Sequence, residues 1–155
     1  MKKFLILPLL LIVGVTSWYF YQQALTQASY NGLPTVPCID TTLPIKQSYT
    51  FHILITINGK NYPLDKSIGH DYGNCLHDIY VKDTSGKVYV QTNGHEKFTL
   101  KNFFDVWHTT FNEHQIFGYQ TSGQDTISVL VNGQPVTTFE KTPITPNENI
   151  SIIYQ

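Results

Sequence analysis

Between positions 75 and 83 the chain reads Cys-Leu-His-Asp-Ile-Tyr-Val-Lys-Asp. A thiol, an imidazole and two carboxylates within nine positions offer the ligands of a metal ion, or the acid, base and nucleophile of a catalytic centre. Five more histidines (His52, His70, His95, His108, His114) and a second cysteine, Cys38, lie elsewhere. Strand-borne metal sites place ligands at i and i+2, where both side chains leave one face. The position two before His52 is Thr50 and the position two after His77 is Ile79, so no histidine pair is preformed. Long-range convergence is the remaining route, with His52, His70 and His77 as candidate ligands and copper or zinc as the metal.

Catalytic patterns are missing. Asp78, Asp83 and Asp105 have no partner motif, Ser85 falls in a turn, and neither GxSxG nor HExxH occurs. No catalytic residue is assigned, and the chain reads as a non-enzyme. All ten basic residues are Lys, the formal net charge is −1, and neither GxGxxG nor GxxxxGK[ST] is present. Without the Arg fork or a basic patch, nucleic acid is not expected as a partner.

The 155 residues allow one domain and a short appendage. Lys2 and Lys3 precede a run without charge from Phe4 to Tyr21, which ends Trp18-Tyr19-Phe20-Tyr21. As a helix this run would span roughly 27 Å, close to bilayer thickness, with its aromatics at the outer interface. It predicts a signal-anchor over 1–21, with the rest of the chain outside the cytoplasm. The competing reading is secretion after cleavage near Val15-Thr16-Ser17, which the bulky aromatics that follow oppose. Outside the cytoplasm Cys38 and Cys75 can pair. A loop of about 37 residues closed that way would contribute roughly 3–4 kcal/mol. The alternative, a free reactive thiol, has neither a Cys-x-x-Cys nor a helix start beside it.

Residues 22–46 form a polar connector with Pro34, Pro37 and Pro44, and the β-rich domain is expected over 47–155. Tyr49–Ile57 predicts a strand, Asn58-Gly59 a tight hairpin turn, and Asn61–Leu64 the return. A second hairpin is expected around Asp83-Thr84-Ser85-Gly86. Thr126–Val131 with Asn132-Gly133 repeats the first device, Pro135–Phe139 returns, and Ile150–Tyr154 closes the domain. One stretch departs from this pattern: Leu100, Phe103, Phe104 and Trp107 form a helical apolar stripe, with Thr99 as its cap. The fold class is therefore α+β. It is a mostly antiparallel domain of hairpins with one short helix (about 99–107), preceded by a transmembrane helix.

In those stretches the chain resembles an uncharacterised family of short secreted or membrane-tethered proteins of bacteria and archaea. The family pattern runs HxHxHLxIxVNG, IGI, CxxxLHTHDxSGxIHIESP and FTLGxFFDVWG. Here the matching stretches are His52 to Gly59, Ile68-Gly69-His70, Cys75 to Val88, and Phe98-Thr99-Leu100-Lys101-Asn102-Phe103-Phe104-Asp105-Val106-Trp107. Cys38 fits the family's first cysteine. The resemblance implies a histidine-rich metal site, yet the corresponding positions carry Ser48, Thr50, His52, Tyr80, Lys82 and Tyr89. A lysine in place of a ligand repels a cation. The resemblance thus implies a scaffold kept without its metal and acting by partner binding or in the envelope. A replacement site of His52 with His70, His77 or His108 stays open.

Overall fold

The computed structural model describes residues 36–71 and 73–155. The expected membrane-spanning segment (1–21) and the first part of the connector lie outside the described residues. Those described belong to one compact unit, Pro34–Gln155. None of its helices is long and apolar enough to cross a membrane.

Strand β1 (Gln47–Ile57) organises the domain. Its odd positions Phe51, Ile53, Ile55 and Ile57 are buried, while His52 and Leu54 face out, as period-two alternation requires. The first half of β1 pairs antiparallel with β6 (Lys87–Thr92), and the second half with β2 (Lys60–Tyr62) on the same edge. The β1–β2 turn is Asn58-Gly59, with φ of 49° and 75°, the positive pair that a tight hairpin demands. Asn132-Gly133 repeats this geometry, at 51° and 80°, between β10 (Ile127–Val131) and β11 (Gln134–Val136).

The other edge of β1 receives β12 (Asn149–Tyr154) in parallel register, and β12 pairs antiparallel with β10. The sheet order is β11-β10-β12-β1-β6-β5, with β5 at Ile79–Val81. Hairpin signals alone cannot reveal the parallel β1–β12 pair, because its strands lie about ninety residues apart.

Helix α1 (Leu100–Val106) covers the inner face. The backbone N–H and hydroxyl of Thr99 both donate to Asn102 Oδ1, at 2.9 and 3.1 Å, which fixes the first turn. Leu100, Phe103 and Phe104 are buried as the stripe predicts, with Phe103 edge-on to Phe51 at 6.2 Å. Trp107 is partly buried, and its ring packs on Phe104, Phe117 and Tyr62. Phe117 follows the short hairpin β7 (Phe111–Asn112) and β8 (Gln115–Ile116), to which β9 (Tyr119–Gln120) is added. A 3-10 turn, Phe139–Lys141, replaces the end of the expected return strand at Pro135–Phe139.

Candidate functional site

The opening stretch, residues 75–83, lies between two neighbours. On one side β3 (His70–Asp71) pairs with β4 (Cys75–Leu76), His77 N–H donates to Gly69 O at 2.8 Å, and Val81 N–H donates to Ile68 O at 3.1 Å. On the other, Cys38 bridges to His77, Ile39 N–H donates to Leu76 O at 2.8 Å, and Asp78 N–H donates to Pro37 O at 3.1 Å. Gly69 makes the first approach feasible. Its φ is 81°, and a Cβ there would collide with the Ile79 carbonyl and the Tyr80 side chain. On the second side, residues 36–39 of the expected connector are part of the packed domain, with Val36 fully buried.

Cys38 and Cys75 form a disulfide, with Cα atoms 5.4 Å apart, and the described residues contain no free cysteine. Cys38 is exposed, Cys75 half-buried and His77 buried. Nδ1 of His77 donates to Val36 O at 2.8 Å. Its Nε2 lies 2.9 Å from Asp71 Oδ2 and 3.6 Å from Cys75 Sγ. Both ring nitrogens thus face oxygen acceptors. The other oxygen of Asp71, Oδ1, accepts from His108 Nε2 at 2.8 Å. These two imidazole donors, His77 foremost, hold the Asp71 carboxyl below the ordinary carboxylate value.

Asp78 is the reverse case. It is 1% exposed, its Oδ2 has no hydrogen-bond partner, and burial pushes its carboxyl above the ordinary value. Hydrogen bonding to Thr92 opposes that shift, and the nearby Glu96 charge adds to it. Thr92 itself donates to Glu96 Oε2.

The predicted ligand set is not gathered. His52 points outward from β1, and the β1 register puts it opposite Lys87 on one side and Asn149 on the other. His70 turns its Nε2 to Val81 O at 3.2 Å and sits edge-on to Tyr80. His77 is held by Val36 and Asp71. Among the described residues, Cys38, Cys75 and His77 form the one cluster of three or more ligand residues whose donor atoms all lie within 4.8 Å. Its sequence signal is Cys75-x-His77, an i, i+2 pair lying before His77 rather than after it. Cys38 and Asp71 carry no such signal. His77 and Asp78 are both buried.

A second cluster occupies the outer sheet face. Tyr89 stands opposite Thr50 and Tyr80 in register, and the Tyr80 and Tyr89 rings stack at 5.5 Å. Lys82 Nζ lies 4.2 Å from the Tyr89 centroid, and Lys87 Nζ 5.3 Å from it, within cation–π range. In comparisons of the chain with protein-family models, curated proteins and solved structures, none of the three finds a match.

Proposed function

We propose that this chain is an extracytoplasmic domain, tethered to a membrane by residues 1–21, whose role is non-enzymatic binding of a protein partner. The observation that carries this reading is the outer sheet face. Leu54 is 50% exposed there, in register with Ser151, and Ser151 is in register with Leu130. His52, Lys87 and Lys82 border the same face, so a partner that presents apolar and carboxylate side chains fits it.

The closed disulfide supports an oxidising compartment, and the uncharged run Phe4–Tyr21 supports a tether. The family resemblance marks Thr50, Tyr80, Lys82 and Tyr89 as former ligand positions. A lysine ammonium resting on tyrosine rings there supports a scaffold that works without the implied histidine-bound copper or zinc.

The test is site-specific photo-crosslinking of the full chain in its own membranes, with a photoreactive analogue replacing Leu54 or, as control, Lys101. The expected result is a discrete adduct from position 54 that disappears with Lys82→Glu and Lys87→Glu together, and none from position 101. Equal adducts from both positions, or recovery of the chain from the cytosol with both thiols free, would overturn it.

A further inference from the structure

We infer that the Cys38–Cys75 disulfide masks a zinc site made of the two sulfurs and His77 Nε2, which opens on reduction and takes as its fourth ligand Asp71 Oδ2, a neighbour of Nε2 outside that cluster of three. This inference is independent of the partner-binding face, because none of the four residues lies on it.

The distances carry the argument. Tetrahedral zinc, with Zn–S near 2.3 Å and Zn–N near 2.0 Å, places a sulfur and a nitrogen ligand about 3.6 Å apart. Cys75 Sγ and His77 Nε2 are already 3.6 Å apart. The same geometry puts the two sulfurs about 3.8 Å apart and nitrogen and oxygen about 3.4 Å apart. Breaking the S–S bond frees the first separation, the Nε2–Oδ2 distance of 2.9 Å widens by about 0.5 Å, and Asp71 Oδ2, outside the cluster of the other three ligand atoms, moves toward the sulfurs.

The surroundings fit as well. A histidine bound to metal through one nitrogen commonly donates its other N–H to a backbone carbonyl, and ligating carboxylates are themselves hydrogen-bonded. His77 Nδ1 donates to Val36 O, leaving Nε2 toward the sulfurs, and Asp71 Oδ1 is held by His108. Two thiolates with one imidazole suit zinc over hard oxygen-seeking cations.

A dithiol reductant opens the bond in two attacks. One of its thiolates attacks the exposed Cys38 Sγ, the S–S bond breaks, and the electron pair leaves on Cys75 Sγ beside His77. The second reductant thiol attacks the mixed disulfide and releases Cys38. The reductant ends as a disulfide, and the protein gains two electrons and two protons. Zinc then displaces the two thiol protons and the Nε2 proton to solvent, while Asp71 is already a carboxylate.

The experiment titrates Zn²⁺ into the full-length chain in detergent, oxidised or reduced with a phosphine, which supplies electrons without competing as a dithiol chelator. Co²⁺ serves as the spectroscopic probe. One equivalent should bind the reduced chain at least 100-fold tighter than the oxidised chain. Co²⁺ should give thiolate charge-transfer absorption and tetrahedral d–d bands. Asp71→Asn, which removes a ligand, should weaken Zn²⁺ binding by more than the roughly 10-fold typical of an altered outer partner, and His77→Gln by more still. If the reduced chain loses its near-UV circular dichroism, one equivalent of Zn²⁺ should restore it, because binding is then coupled to folding. Equal binding by both redox forms, reduced-form binding unchanged in His77→Gln, or failure of Zn²⁺ to restore an unfolded reduced chain would each overturn the inference.

Discussion

Asp71 Oδ2 accepts a hydrogen bond from His77 Nε2 at 2.9 Å, tying the short β3–β4 hairpin to a buried imidazole. This contact, with the second from His108, keeps the Asp71 carboxyl below its ordinary value of 3.8. A carboxyl with a lowered folded-state value contributes stability that is present above the ordinary value and is lost as pH falls through the folded one. Asp71→Asn should therefore cost about 1–2 kcal/mol near neutrality. The gap from the parent should narrow below pH 4, as urea unfolding over a pH series would read.

His77→Ala should be more damaging. It leaves the Val36 carbonyl without its imidazole donor and removes a side chain that is 95% buried. The expected loss is about 2–3 kcal/mol by urea unfolding of the oxidised chain. His77→Gln, which can still donate, should recover part of it.

Asp78 should behave with the opposite sign. Burial raises its value, so its neutral form favours the fold below the ordinary carboxylate range, and that contribution is lost as pH rises through the folded value. Asp78→Asn removes the ionisation. Its stability relative to the parent should rise with pH from about 4 toward neutrality, tracked by denaturant midpoints.

Replacing both cysteines with alanine should lower the unfolding free energy by about 3–4 kcal/mol, because the open loop restores freedom to the unfolded chain. Thiol labelling of the untreated parent should leave both sulfurs unmodified.

Gly69→Ala should cost at least about 2 kcal/mol through strain at positive φ and collision with the Ile79 carbonyl. Because that glycine lets residues 68–71 lie against 77–81, amide exchange should quicken first at His77 and Val81, whose N–H groups bond to Gly69 and Ile68.

Much of the architecture was legible because its signals are local. Alternation along β1, the two Asn-Gly turns and the Leu100–Trp107 stripe each depend on a few neighbouring residues, and each forms where they indicate. In the candidate site the Cys38–Cys75 pair was legible from the cysteine count and the expected export, and that disulfide forms, whereas His77 carried only the Cys75-x-His77 spacing. Asp71 reaches the site through a two-residue strand and carries no pattern.

By itself, then, the sequence determined which stretches extend, turn or coil, and that two cysteines were available to pair. Only the tertiary structure decided that β12 lies parallel to β1, that His77 is buried while His52 faces out, and that Asp71 bridges two imidazoles. The reason is physical. Backbone propensity and side-chain period act over a few residues, whereas burial and hydrogen-bond satisfaction depend on which distant segments pack together, and here a glycine without a Cβ and a disulfide brought those segments into contact.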